Sequence, residues 1–139
     1  MKSFFLFLSI VFLSLVSSAQ DLKKEQLIEP SELAKKLSDP ESLKPVVFNV
    51  GPVDQIKSAI NIGAVNTEAG MKKLRLEVAK IPKNKAVVVY CGCCTSANCP
   101  NIRLAINYLV SAGYTKAKVL NIPTGIKEDW VQKNYPMED

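Results

Sequence analysis

A buried strand that runs through a cysteine-rich loop into a helix is the strongest constraint on the fold of this chain. Residues 86–90 are consecutive apolar residues, three of them β-branched, and predict a strand covered on both faces. Pro100 is favourable as the first residue of a helix that extends to about Ser111, with Gly113 as its C-cap. A strand followed by a helix implies a crossover connection, so this segment predicts a parallel sheet.

The same alternation of strands and helices continues along the rest of the chain. The other predicted elements are a helix with Ser31 as its N-cap, strands at 45–50 and 118–122, and helices at about 68–80 and 126–133. Residues 20–29 are expected to be a flexible lead-in, and residues 56–66 a loop with short turns. The order predicts a single α/β domain over residues 30–139, with a mostly parallel central sheet and helices on both faces.

The composition is that of a globular protein and excludes several kinds of chemistry. The chain has 139 residues, of which 47% are apolar and 22% charged, and it contains no histidine. Acid–base catalysis by imidazole and histidine-ligated metal sites are therefore excluded. The 18 Lys and Arg residues exceed the 13 Asp and Glu residues, but they are dispersed along the chain. That dispersion is typical of solvated helix faces, so we expect no nucleic-acid partner.

The N-terminal residues have the pattern of a secretory signal peptide. Lys2 is followed by an apolar run from Phe4 to Val16 and then by Ser17-Ser18-Ala19. A membrane anchor is the alternative, but this run is shorter than the ~20 residues that a spanning helix needs. Residues 1–19 are therefore expected to be cleaved, leaving an exported protein, periplasmic or secreted, that is not attached to a membrane.

All four cysteines lie close together, at Cys91, Cys93, Cys94 and Cys99. Disulfides between them would close only small loops and would stabilise little, so the cluster favours chemistry or metal binding. The amides and dipole at a helix start lower the pKa of a nearby thiol, which is the available activation in a chain without histidine. Cys91, at the end of the strand, is the predicted nucleophile. Cys99, next to Pro100, is its rival, and Cys94 or Cys99 is the candidate resolving thiol.

The same loop offers groups that could bind an anion or a metal. The candidate anion ligands around the helix start are Gly92, Cys93, Thr95, Ser96, Asn98 and Arg103. No cofactor is expected. If a soft metal such as Cu(I) or Zn binds, its predicted ligands are Cys93, Cys94 and Cys99, although the spacing is not that of a standard zinc ribbon. Asp54 is expected to be a carboxylate on a loop surface.

Several stretches, in order and spacing, resemble the rhodanese-like (sulfurtransferase) family over nearly the whole mature chain. Asn49-Val50-Gly51 stands where a strand of that family usually ends in Asp-Val-Arg. Residues 62–66 resemble its Pro-Gly-Ala-x-Asn stretch, residues 87–91 resemble the strand that enters its active-site cysteine, and residues 113–136 resemble its ending. The cysteine-rich run resembles a bacterial subgroup of the family that is often exported.

The resemblance implies a function for the cysteine at the strand end. Cys91 would take sulfane sulfur from a donor such as thiosulfate, hold it as a persulfide, and pass it to cyanide or a thiol. The implied partners are a small sulfur compound or thiol acceptor and a protein that exchanges sulfur or electrons. Two alternatives stay open: a thiol–disulfide redox protein that pairs Cys91 or Cys94 with Cys99, and a module that binds a soft metal or a partner through the loop.

Overall fold

A five-stranded parallel sheet forms the centre of the protein in the computed structural model, which describes residues 21–53 and 56–139. The strands are β1 (Leu27–Ile28), β2 (Val46–Asn49), β3 (Ile60–Asn61), β4 (Val87–Tyr90) and β5 (Ala117–Leu120). Their order across the sheet is β1-β5-β4-β2-β3, and each neighbouring pair is parallel. The predicted parallel α/β sheet is confirmed.

Helices connect the strands and cover the sheet. They are α1 (Pro30–Ser38), α2 (Glu68–Val78), α3 (Pro100–Ser111) and α4 (Ile126–Asp129), with 3-10 turns at Lys24–Gln26, Ser96–Asn98 and Val131–Lys133. Helix α3 has the predicted bounds, with Pro100 as its first residue. Helix α2 is capped by Thr67, whose hydroxyl oxygen accepts a hydrogen bond from the Gly70 amide at 3.1 Å.

The central strand β4 is buried on both faces, as its continuous apolar run predicts. Val87 and Val89 belong to the core that packs against α2 and α3. Val88 and Tyr90 belong to the opposite core, together with fully buried Trp130. This alternation confirms helices on both faces of the sheet. Cys91 follows Tyr90 by one residue, so its side chain points to the opposite face from Tyr90, toward α3.

Both edge strands lie where the sequence predicts irregular backbone. Leu27–Ile28, within the predicted lead-in, pairs with β5, and Ile60–Asn61, within the predicted loop, pairs with β2. The lead-in prediction is therefore wrong at residues 27–28, and the ordered domain begins before residue 30. Two-residue strands carry no periodicity, and their pairing depends on the neighbouring strand rather than on their own sequence.

The helix ends also differ in two places from the prediction. Helix α1 begins two residues earlier than predicted, with Glu29 rather than Ser31 at the N-cap position. The last predicted helix ends as an α-helix at Asp129 and continues as a 3-10 turn, because the backbone of Trp130 leaves the helical region.

Two sequence predictions concern residues outside the described ranges. Residues 1–19, the predicted signal peptide, and Asp54 lie outside them, so both remain predictions. Within residues 21–53 and 56–139, no helix combines the length and the apolar character needed to cross a membrane.

Candidate active site

Cys91 follows β4 directly, at the carboxyl edge of the sheet, where the sequence predicts it. Its side chain is fully buried and belongs to the core shared with α2 and α3. Gly51, in the turn after the neighbouring strand β2, faces the cysteine so closely that a Cβ at this position would overlap Cys91 Sγ. Ligand sites in parallel α/β folds gather at this edge, so Cys91 lies where a functional site is expected.

Three sulfur atoms form a cluster that extends from the core to the surface. Cys91 Sγ lies 2.9 Å from Cys93 Sγ and 3.9 Å from Cys94 Sγ, and the latter two are 3.5 Å apart. Cys91 is buried, Cys94 is half-buried and Cys93 is exposed. None of the four cysteines forms a disulfide, and Cys93, which is not a predicted resolving thiol, contacts Cys91 through its sulfur.

Cys99 occupies the N-cap position of α3 and is fully buried. Its side chain does not form an N-cap hydrogen bond. The backbone amides of Asn101 and Ile102 nevertheless lie close enough to its sulfur to lower its pKa. The pKa of Cys99 is lowered to about 5, most of all because the Cys91 thiol donates a hydrogen bond to its sulfur, while burial opposes this effect. Its surroundings therefore favour the thiolate form of Cys99 over that of the neighbouring cysteines.

The surroundings of Cys91 and Cys94 favour the neutral thiol instead. The pKa of Cys91 is raised, first because its thiol donates to Cys99 and second because of burial. Burial and the hydrogen bond with Cys99 raise the pKa of Cys94 to about 12. The amides at the start of α3 face Cys99, which is the residue at the helix terminus, and the activation of Cys91 by them stays a prediction.

The loop between β4 and α3 is braced by its own polar groups. The Ser96 amide donates to the Ile122 carbonyl at 3.3 Å, which ties the loop to the end of β5. The Asn98 amide group donates to Thr95 Oγ1 at 3.3 Å, and Arg103 donates to the Ala97 carbonyl at 3.0 Å. These contacts give Thr95, Ser96, Asn98 and Arg103 structural roles, and anion binding by them remains a prediction.

Gly92 and Cys93 are the predicted anion ligands that lie beside Cys91. The Cys93 amide donates to the Cys91 sulfur and opposes the rise in its pKa. A Cβ on Gly92 would lie 3.3 Å from the Val53 carbonyl oxygen, so the turn after β2 closely approaches the loop. The sulfurs grouped closely enough to hold a metal ion are those of Cys91, Cys93 and Cys94, whereas the predicted set has Cys99 in place of Cys91.

Asn49 is the residue of this site that sequence reasoning missed. It ends β2 opposite Tyr90 of β4 and is fully buried. Its Nδ2 donates to the Val53 carbonyl, and its Oδ1 accepts from the Gly51 amide at 3.0 Å. Asn49 therefore shapes the turn that carries Gly51 against Cys91. The sequence feature that could have identified Asn49 is its position at the carboxyl end of a predicted strand, because parallel strands bring these ends together at one edge of the sheet.

Comparisons with known proteins identify the fold. No protein-family model matches the sequence, and no curated protein matches it. Among solved structures, a protein from Lactobacillus plantarum is 26% identical and superposes with a TM-score of 0.58 over 82% of this chain and 88% of its own. The Alr3790 protein from Anabaena sp. is 19% identical, with a TM-score of 0.57 over 80% of this chain and 90% of its own.

A third similar structure belongs to a rhodanese-related protein. The rhodanese-related protein from Thermoplasma volcanium is 17% identical, with a TM-score of 0.52 over 81% of this chain and 97% of its own. At such identity the likeness concerns the fold alone, and the five-stranded parallel sheet with helices on both faces is that fold in this chain. The chain therefore folds as a rhodanese-like domain.

Proposed function

We propose that this protein is a sulfurtransferase that carries sulfane sulfur on Cys91 as a persulfide. The donor is a small sulfur compound such as thiosulfate, and the acceptor is cyanide or a thiol. The observation that carries the proposal is the position of Cys91 in a rhodanese-like fold, at the carboxyl end of the central strand and before the loop to α3. The apolar N-terminal run after Lys2 supports a location outside the cytoplasm.

The first half-reaction loads the sulfur. The Cys91 sulfur attacks the outer sulfur of thiosulfate, a new S–S bond forms on Cys91, and sulfite leaves with the electron pair of the broken bond. The proton of Cys91 becomes strongly acidic as the new S–S bond forms, and at that stage it passes to Cys99, its hydrogen-bond acceptor. In a chain without histidine, Cys99 thus serves as the base.

The second half-reaction unloads the sulfur. Cyanide or a thiolate attacks the outer sulfur of the persulfide, and the S–S bond to Cys91 breaks, which leaves a thiolate. That thiolate recovers its proton from Cys99, and the cluster returns to its resting charge. The Cys93 amide, which faces the Cys91 sulfur, stabilises the anion at both stages.

Substrates must reach the cluster from the side of its exposed members. Cys93 is exposed and Cys94 is half-buried, whereas Cys91 has no accessible surface. We infer that rotation of the Cys93 and Cys94 side chains opens the path to Cys91. Neither residue needs the backbone of β4 to move, because both lie in the loop beyond the strand.

The test is sulfur transfer by purified protein from thiosulfate to cyanide, followed through thiocyanate and sulfite. Wild type is expected to form both products, and Cys91→Ser neither. Tandem mass spectrometry of protein loaded without acceptor is expected to locate one added sulfur atom on Cys91. Equal rates in wild type and Cys91→Ser, or an added sulfur located on Cys94 or Cys99, would reject Cys91 as the carrier.

A further inference from the structure

The separations of the three clustered sulfurs match the dimensions of a metal site. The sulfur atoms of Cys91, Cys93 and Cys94 all lie within 4.8 Å of one another. A metal ion about 2.3 Å from each thiolate requires sulfur separations of about 4.0 Å in a planar trigonal site. Two pairs, at 3.9 Å and 3.5 Å, are already close to this value. Only the pair of Cys91 and Cys93, at 2.9 Å, must open by about 1 Å, which rotation of the exposed Cys93 side chain permits.

The donor set selects the kind of ion. The group consists of sulfur alone, and the chain has no histidine to complete a mixed site. Structural zinc takes four ligands in a tetrahedron, but among the described residues Cys99 does not lie within 4.8 Å of all three sulfurs. Clustered thiolates without a fourth ligand suit a soft monovalent ion. We propose that Cys91, Cys93 and Cys94 form a three-coordinate site for Cu(I).

Burial and bracing of the loop support ion binding at this position. The buried sulfur of Cys91 anchors the ion at the end of β4, and the exposed Cys93 gives it direct entry from solvent. The loop is held by the bond from Ser96 to Ile122 and by that from Arg103 to Ala97, so less conformational freedom is lost on binding. Binding replaces the thiol protons of the three cysteines, which leave to solvent. It also blocks the attack of Cys91 on thiosulfate, so copper binding and sulfur transfer exclude each other.

The experiment titrates the full-length, metal-free protein with Cu(I) under anaerobic conditions, in competition with a chromogenic Cu(I) chelator. We expect one ion per chain, with X-ray absorption showing three sulfurs at about 2.3 Å. Cys93→Ser and Cys94→Ser are expected to weaken binding by more than the roughly 10- to 100-fold that loss of an outer-shell partner costs. Cys93 is exposed, so Cys93→Ser should keep its fold, which circular dichroism checks.

Cys99→Ser is the matched control, because it makes the same atomic change beside the cluster without removing a ligand. Binding is expected to weaken by no more than the roughly 10- to 100-fold that loss of an outer-shell contact costs. The inference is overturned if no copper is retained, if Cys93→Ser and Cys94→Ser bind like wild type, if Cys99→Ser loses the ion, or if four sulfurs coordinate it. Sulfur transfer is measured separately on metal-free protein, so a protein that binds copper without transferring sulfur contradicts only the proposed function.

Discussion

Replacing Gly51 with alanine tests whether the position of the Cys91 sulfur controls function. The added Cβ would overlap Cys91 Sγ and would lie 3.4 Å from Cys91 Cα and Cβ. The latter two contacts are tight but tolerable, whereas the overlap with the sulfur is not. Because Sγ can rotate about χ1, the strain is relieved by turning the sulfur away from Gly51 rather than by moving β4.

The two expected consequences differ in size. The sulfur must shift by about 1 Å to reach the ~3.5 Å of ordinary contact. A misplacement of about 1 Å at a reacting centre costs about 100-fold in rate, equivalent to about 2.7 kcal/mol. Overpacking a buried site costs about 1–3 kcal/mol of stability, and rotation of a short side chain keeps this loss near about 1 kcal/mol. Gly51→Ala should therefore lose much of its activity and remain folded.

The assay combines thiocyanate formation with urea unfolding of the same preparations. Gly113→Ala is the control. Gly113 follows the C-terminal end of α3, whereas Cys99 lies at the N-terminal end of the same helix. The φ of Gly113 is +88°, and an added Cβ would meet nothing within 4 Å. Alanine in this left-handed backbone conformation costs about 1–2 kcal/mol. The Gly113→Ala protein should therefore lose about as much stability as Gly51→Ala, while its rate of sulfur transfer stays that of wild type. If Gly51→Ala transfers sulfur like wild type while Cys91→Ser is inactive, the positional argument is refuted.

Three further predictions concern accessibility and stability. Iodoacetamide should modify Cys93 first and the two buried cysteines last, which mass spectrometry over time would show; faster labelling of a buried cysteine would contradict the described burial. Asn49→Ala should lower the free energy of unfolding by about 1–3 kcal/mol, because two backbone groups of the following turn lose their partner; an unchanged urea midpoint would count against this role. Trp130→Ala should cost about 3–5 kcal/mol in the same measurement, because its ring is fully buried; a loss below about 1 kcal/mol would be inconsistent with that packing.

The central strand and the helix after the cysteine loop could be predicted because their signals are local. A strand covered on both faces must be apolar at every position, and β4 is. A helix that begins with proline uses the fixed φ of that residue, and α3 begins at Pro100. The edge strands β1 and β3 could not be predicted, because two residues show no period and their hydrogen bonds belong to the adjacent strand.

The division of roles among the cysteines depended on more than sequence. The place of Cys91 at a strand end follows from the pattern of the preceding residues. The sulfur that lies next to the amides of the helix start is that of Cys99, the N-cap residue of α3. The fold of the loop also brings this residue next to Cys91 and Cys94. Such a contact depends on side-chain directions across a turn, which spacing alone does not specify. The same holds for Asn49, whose buried amide is recognisable as a brace only once its turn lies against Cys91.

The amino-acid sequence by itself determined the alternation of strands and helices, the parallel sheet, and the position of a cysteine at the carboxyl edge of that sheet. These features depend on the periodicity of apolar residues and on the backbone preferences of proline and glycine, which act over a few residues. Tertiary structure alone decided which sulfurs touch, in which direction the pKa of each buried thiol is shifted, and which glycine packs against Cys91. Those properties arise from distances of 3–4 Å between atoms of different segments, and they are set by how the sheet brings the ends of β2 and β4 together and how the loop folds back onto α3.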